Sequence, residues 1–339
     1  MRRGFLLFIT FAFSLMSTQI FADSDLLRKK EVQYFIAYMV KNQGFNRSEL
    51  VNVLRESQYQ PQIIESMEKP YEKKSWDVYK NLFLTPQRVE AGVAYWQKNK
   101  EALEKAEKQF GVPAPIIVAI IGVETLYGQR QGEYRVLDAL TTLAFYYPKR
   151  APFFTKELKE YLLLCREQKV SPTYYMGSYA GAIGKPQFMP SSYRFYAVDF
   201  TGNGKRDLIN EDRDVIGSVA NFFHKHGWQS NQEVAQPAKV VGDSYKKLHT
   251  NTKMANYSFK RLVTAGVQPT TALTIPPGKA GIIELNTEKG EEYWVAYPNF
   301  YVITRYNNSP QYALVVYLLA QQLHNQLIAE QNSNQHKFG

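Results

Sequence analysis

The sequence predicts an α+β fold that is mainly α. Three observations carry this. Apolar residues recur at helical spacing through residues 26–109, residues 116–123 are apolar on every side, and after Trp228 the texture changes to short strand-like runs.

In chain order, Arg2 and Arg3 precede an apolar stretch (residues 4–16) and then Ser17-Thr18-Gln19-Ile20-Phe21-Ala22, the pattern of a signal peptide over residues 1–22. The stretch is shorter than a membrane span requires, although an uncleaved anchor reads the same way. No cysteine lies near the cleavage point to carry a lipid, so the expected mature form is soluble. Val32, Phe35, Ile36 and Met39, then Val89, Val93, Trp96 and Leu103, share helix faces, and Pro61, Pro70 and Pro86 divide the region into several short helices. Pro113 and Pro115 open the next helix, where a missing N–H costs nothing, and Gly128 is placed to end it. Its all-round apolar surface predicts burial inside the protein. Helical stretches at residues 138–145 and 153–168 follow, then a glycine-rich loop at 177–190. Strand-like runs occupy residues 272–275, 281–285, 293–297 and 301–304, a small β domain. A helical pattern returns over 311–329, and the Gln/Asn-rich end reads as disordered. There is no internal repeat.

Composition narrows the function classes. The chain has 339 residues, 45% hydrophobic and 21% charged, the balance of a globular protein. The formal net charge of +10 favours polyanions: nucleic acid, anionic lipid or an acidic wall polymer. The charge is spread, however. Arg28-Lys29-Lys30 is followed at once by Glu31, and no basic helix carries interleaved aromatics, which argues against nucleic acid. The 24 Tyr and 20 Phe suit sugar stacking and core filling equally. Cys165 is the only cysteine and sits in an apolar run, so no intramolecular disulfide can form.

Glu124 stands out on physical grounds. Ile117, Ile120 and Ile121 precede it by seven, four and three residues and share its face. A carboxylate on an apolar face loses hydration and its pKa rises, which is what a proton-donating acid needs. A glutamate paired with a buried arginine has the same sequence context. The second signal is Ser178-Tyr179-Ala180-Gly181-Ala182-Ile183-Gly184 followed by Pro186-Gln187 and Tyr193. Its small residues allow close backbone approach, either to a ligand or to a packed helix. The third is Asp199-Phe200-Thr201-Gly202-Asn203-Gly204-Lys205, which matches the opening of an EF-hand loop. Asp199, Thr201, Asn203 and the Lys205 carbonyl are the candidate ligands of a structural calcium ion. The closing position holds Asn210, so the last ligand would come from Glu211, Asp212 or Asp214 in a longer loop, of which Asp214 is taken; a solvated Asx turn is the alternative. Other chemistries fail. No serine sits in a nucleophile elbow, no Cys/His zinc spacing exists, and His224 and His226 diverge on a helix.

Together these segments resemble the membrane-bound lytic murein transglycosylase B family. Residues 120–125, 178–193, 197–200 with the Gly/Asn loop after them, 216–221 and Arg305-Tyr306-Asn307 carry the match, in order. The resemblance implies a lysozyme-like core (113–235, completed by 298–310) and an α-helical domain (23–112, completed by 311–330). It also implies a small β domain (236–297), with a disordered tail at 331–339. It implies cleavage of the β-1,4 bond between N-acetylmuramic acid and N-acetylglucosamine, with Glu124 as acid/base and 1,6-anhydro ends as product. No catalytic cofactor is required. Tyr79, Ser178, Gln187, Phe222, Tyr306, Asn307 and Tyr312 are carried over as substrate contacts. The partners implied are peptidoglycan strands and other cell-wall enzymes, for a periplasmic monomer that binds no nucleic acid. Two departures stand out: Phe222 occupies a position where the family often has tyrosine, and Lys185-Pro186 replaces a Tyr-Gly variant. A non-catalytic murein-binding protein, a calcium-dependent scaffold and a hydrolytic muramidase remain as alternatives.

Overall fold

The computed structural model describes residues 25–68, 74–271 and 278–338. The expected signal peptide and the strand run at 272–275 lie outside these. The described chain is mainly helical with a small antiparallel sheet. In chain order come α1 (Lys30–Gln43), α2 (Arg47–Glu56), α3 (Pro61–Met67), α4 (Trp76–Phe83), α5 (Pro86–Lys98), α6 (Lys100–Phe110) and α7 (Ala114–Thr125). Then follow β1 (Tyr134–Arg135), α8 (Val136–Tyr146), α9 (Ala151–Gln168), β2 (Met176–Gly177), α10 (Pro190–Tyr196) and α11 (Asp212–Lys225). The last part holds β3 (Ala235–Val240), β4 (Tyr257–Ser258), α12 (Phe259–Thr264), β5 (Val267–Pro269), β6 (Lys279–Thr287), β7 (Gly290–Ala296), α13 (Pro298–Ile303) and α14 (Pro310–Phe338).

Local chemistry accounts for many boundaries. Asn46 caps α2 by accepting from the Ser48 and Glu49 amides, and Thr85 caps α5 by accepting from Arg88, with Pro86 at the first helical position. Gly44 and Gly111 stop α1 and α6 in the left-handed conformation.

The chain forms two compact units, Met1–Lys69 with Gln131–Phe195 and Pro70–Arg130 with Tyr196–Gly339. Each is assembled from distant stretches of the chain. In the first unit α8 packs on α9, and Phe35 meets Phe145 edge-on at 5.9 Å. Its buried acids are paired: Asp138 takes Arg135 at 2.8 Å and the Gln58 amide at 2.9 Å, and Glu160 takes Arg194. In the second unit α7 is the central helix, packed by α14, α5, α11 and α6. Ile117, Val118, Ala119, Ile120 and Ile121 are fully buried, as the all-round apolar surface predicts. The sheet, also in the second unit, has the order β4-β6-β7-β3-β5; the β6–β7 hairpin pairs Gly281 with Ala296 through to Thr287 with Gly290.

Three expectations change. Residues 301–304 belong to or border helix α13 rather than a strand: Pro298 starts a helix, and Phe300, Tyr301, Val302 and Ile303 are all buried, so the run has no alternating face. Helix α7 ends at Thr125, three residues before Gly128, with Leu126 as a left-handed cap. Helix α14 runs on to Phe338, into the stretch read as disordered.

Candidate active site

Glu124 occupies the last turn of α7, half-buried, with Ile117, Ile120 and Ile121 fully buried on its face. Loss of hydration pushes its carboxyl from an ordinary 4.5 up to about 7; a hydrogen bond from Tyr312 pulls the other way. That bond runs from the Tyr312 hydroxyl to Oε1 at 2.5 Å. Tyr312 is fixed in the first turn of α14, where its amide donates to Ser309 Oγ at 3.3 Å. Burial raises the Tyr312 and Tyr306 phenols well above their usual range, and the charge of Glu124 raises them further. Both therefore keep their protons at neutral pH and remain donors.

Of the other expected residues of this unit, Tyr306 feels the charge of Glu124 directly, and Tyr79 and Phe222 adjoin Tyr312 and Tyr306. Tyr79 is buried on α4, its ring 5.2 Å from that of Phe83 and tilted by 42°, and its field reaches Tyr312. Tyr306 follows α13, its amide bonded to the Ile303 carbonyl at 2.9 Å. Its ring meets Phe222 at 4.8 Å and 60°. Asn307 lies in the same turn, where its carbonyl accepts from Ser309. Phe222 is buried on α11 among Tyr196, His226 and Tyr306, with the His226 ring 4.1 Å away. The missing hydroxyl therefore falls in a packed aromatic cluster, and ring packing persists without it.

Ser178 and Gln187 belong to the first unit. Ser178 Oγ accepts from the amides of Ala180 and Ala182 at 3.3 and 3.1 Å, tying the glycine-rich loop to itself. Gln187 adopts a left-handed backbone (φ 50°), and its Nε2 donates to the carbonyls of Gln131 and Gly184 at 3.0 and 2.9 Å. The amide nitrogen is thereby held by the loop. Gly181 (φ 82°) allows the turn; a Cβ there would lie 2.6 Å from Leu140.

The loop after α10 is built around Asp199. Its Oδ1 accepts from the Thr201 hydroxyl and the Gly202 and Asn203 amides, and its Oδ2 from Gly204. Burial works to raise this carboxyl, but the amides of Gly204 and Gly202 and the Thr201 hydroxyl together hold it below its usual value. Asn203 Oδ1 accepts from the Lys205 amide at 2.9 Å. Asp214, the expected closing ligand, is corrected by the structure. It is fully buried, and its oxygens accept three backbone N–H groups, from Phe200 at 2.8 Å, Thr201 at 3.1 Å and Asp207 at 2.9 Å. It acts as the loop's internal anchor, not as an open ligand. The remaining candidates, the Asp199 carboxylate, the Thr201 hydroxyl, the Asn203 amide oxygen and the Lys205 carbonyl, are all hard oxygens, the ligand type calcium takes, and they are engaged in the loop's own hydrogen bonds. Among the described residues no group of three or more His, Cys, Asp or Glu is arranged for a metal.

Sequence reasoning missed Arg88 and Tyr127. Arg88 donates to the carbonyls of Gly122 (3.1 Å), Leu82 (2.9 Å) and Phe83 (2.6 Å), and Tyr127 donates to the Arg88 carbonyl at 2.9 Å. The sequence trace is a pair of glycines inside helices, Gly92 in α5 and Gly122 in α7.

A carboxyl held near neutrality on a core helix, with a tyrosine O–H bonded to it, is equipped to give up and retrieve one proton. That is the equipment of a single-carboxyl acid/base enzyme. Residues 28–321 match the family described as the transglycosylase SLT domain. The chain is 39% identical to membrane-bound lytic murein transglycosylase B of Escherichia coli (strain K12) over 307 residues, 88% of this chain and 83% of that protein. It superposes on the catenated lytic transglycosylase SltB1 of Pseudomonas aeruginosa with TM-score 0.83 and 44% identity, covering 88% of this chain and 98% of that one. Against the E. coli lytic transglycosylase Slt35 in complex with calcium the TM-score is 0.82 at 40% identity, with 90% and 96% covered. SltB3 of P. aeruginosa, solved in complex with NAG-NAM-pentapeptide, is more distant at TM-score 0.75 and 27% identity, with 87% and 80% covered. The chain belongs to this lytic murein transglycosylase family and is an enzyme acting on peptidoglycan. Among its relatives are proteins named membrane-bound and soluble. No single helix among the described residues is long and apolar enough to cross a membrane.

Proposed function

We propose that Glu124 is the single acid/base of the reaction, and that the product is a 1,6-anhydromuramoyl end. The observation that carries this is its carboxyl, raised to about 7 by burial and bonded by Tyr312. Near neutral pH a large fraction of the group is protonated and can donate to the leaving oxygen O4 of N-acetylglucosamine as the bond to muramic C1 breaks. The resulting carboxylate then takes the proton of the muramic C6 hydroxyl, whose oxygen bonds to C1. Atoms balance without water, and Glu124 ends as it began. A glycosidase that uses water works with two carboxylates. Here the nucleophile belongs to the same sugar, and its proximity replaces the second acid. Tyr312 stabilises the carboxylate form during the second half.

Tyr79, Tyr306, Asn307 and the Phe222 ring are assigned to sugar contacts, as are Ser178 and the Gln187 carbonyl. A calcium ion, when bound by Asp199, Thr201, Asn203 and the Lys205 carbonyl, stiffens the loop before α11 and takes no part in the chemistry. The leader at residues 1–22 and the murein substrate support a periplasmic location. The test is mass spectrometry of sacculi digested in H₂¹⁸O. Anhydro ends free of ¹⁸O are expected; reducing ends carrying ¹⁸O would make the enzyme a hydrolase.

A further inference from the structure

Beyond Glu124 the chain does something uncommon. Leu126 (φ 50°) and Tyr127 (φ 59°) are consecutive non-glycine residues in the left-handed region, although a glycine follows at 128. A single glycine at the helix end would stop α7 without this strain. Non-glycine residues persist in that conformation only where their surroundings hold them.

The surroundings form a closed ring. The Gly122 carbonyl, two residues before Glu124, accepts from Arg88 Nε at 3.1 Å. The Arg88 backbone carbonyl in turn accepts from the Tyr127 hydroxyl at 2.9 Å, three residues after Glu124. The Tyr127 ring lies between two helices that leave room for it only by glycines. A Cβ on Gly122 would stand 2.5 Å from the Tyr127 hydroxyl oxygen, and one on Gly92 of α5 would stand 2.3 Å away. Tyr95 stacks on the other side at 5.5 Å and 27°, its own hydroxyl donating to Asp212 at 3.2 Å. Arg88 also grips the Leu82 and Phe83 carbonyls at the end of α4, the helix that carries Tyr79. Burial raises the Tyr127 phenol, so it remains a donor, and its bond to the Arg88 carbonyl endures across physiological pH.

We propose that Arg88 and Tyr127 are positioning residues. They close a buckle across the two backbone segments flanking Glu124 and fix where its carboxyl points. The inference rests on the acid/base reading of Glu124. Neither residue supplies a proton; both act through backbone. A general acid displaced by a fraction of an ångström loses much of its rate while binding is unaffected. A loosened turn also admits water to the carboxyl, which returns its titration toward that of a free glutamate. Neither substitution alters Tyr306 or Tyr312, the phenols raised by the charge of Glu124, whereas Arg88→Lys also loosens the end of α4 that carries Tyr79, so Tyr127→Phe is the cleaner variant.

The experiment compares wild type, Tyr127→Phe, Arg88→Lys and Glu124→Gln on soluble murein glycan oligomers. It measures kcat, KM, the alkaline limb of the pH profile and the melting temperature. Lysine presents one ammonium and cannot serve three carbonyls as the guanidinium does. The expected result is a kcat lowered about tenfold in both buckle variants, KM within about twofold of wild type, and an alkaline limb displaced to lower pH. The proposal is overturned if both variants keep the wild-type kcat and pH profile and lose only melting temperature, or if KM alone rises. Glu124→Gln separates the two readings. If it is inactive while the buckle variants behave as wild type, only the buckle fails; if it stays active, the acid/base reading fails.

Discussion

Glu124 and Asp199 are two carboxyls of the same compact unit whose environments push them in opposite directions. Glu124 ends an apolar helix, receives one tyrosine hydroxyl, and is pushed up to about 7 by burial. Asp199 opens a glycine-containing loop, receives three amides and one hydroxyl, and is held below the ordinary aspartate value. The number and kind of donors decide the outcome. One donor cannot offset the hydration lost on an isoleucine face, whereas four more than offset the partial burial of a loop carboxylate. The first environment suits a group that exchanges a proton, the second a group that stays charged.

The comparison is broken most severely at Glu124. Glu124→Gln keeps the shape and an acceptor for Tyr312 but removes the proton, and a loss of about a thousandfold in kcat is expected from muropeptide release assays. The same variant reports on stability. Because the folded-state pKa lies above the unfolded value of 4.5, the folded protein binds the proton more tightly. Its stability is therefore full below pH 4.5 and falls as pH rises through 7, by up to about 3 kcal/mol. Denaturant titrations at pH 4.5 and 8 should show wild type losing stability relative to Glu124→Gln; parallel curves would place the carboxyl in water.

Tyr312→Phe takes away the hydrogen bond from the Tyr312 hydroxyl to that carboxyl. Activity should drop about tenfold. The alkaline limb should move to higher pH, since this bond lowers the pKa, and that is opposite to the shift expected from opening the buckle. A downward shift would assign Tyr312 a packing role.

At the other carboxyl, Asp199→Ala should abolish a calcium-dependent rise in melting temperature of a few degrees and leave kcat unchanged. A kcat that falls with Asp199→Ala would tie the loop to the chemistry. The smallest effect belongs to Phe222→Tyr. The ring lies packed against His226 and Tyr306, and a hydroxyl added there should change KM by less than about threefold on glycan oligomers.

What the sequence made legible was local. The apolar period of α7, the stop signals of the early helices and the exposure of Glu124 to an isoleucine face follow from residues a few positions apart. Tyr301-Val302-Ile303-Thr304 misled because a short run buried at three successive positions has neither period; Pro298, just upstream, was the better guide. Asp214 was placed in the loop's ligand set by spacing, yet its three backbone partners depend on a loop path that spacing does not give. Arg88 and Tyr127 escaped notice because the ring they close joins helices 34 residues or more apart along the chain, and only Gly92 and Gly122 hint at the room it needs. The split of early helices between two units was invisible for the same reason.

The central claim concerns the protonation of one carboxyl, and it can be observed without turnover. Side-chain carboxyl carbons of glutamate-labelled protein are followed by NMR across pH 3 to 9, wild type beside Glu124→Gln. The resonance missing from the variant should titrate near 7 in the wild type. A midpoint near 4.5 would mean an ordinary, hydrated glutamate and would contradict its role as the enzyme's acid.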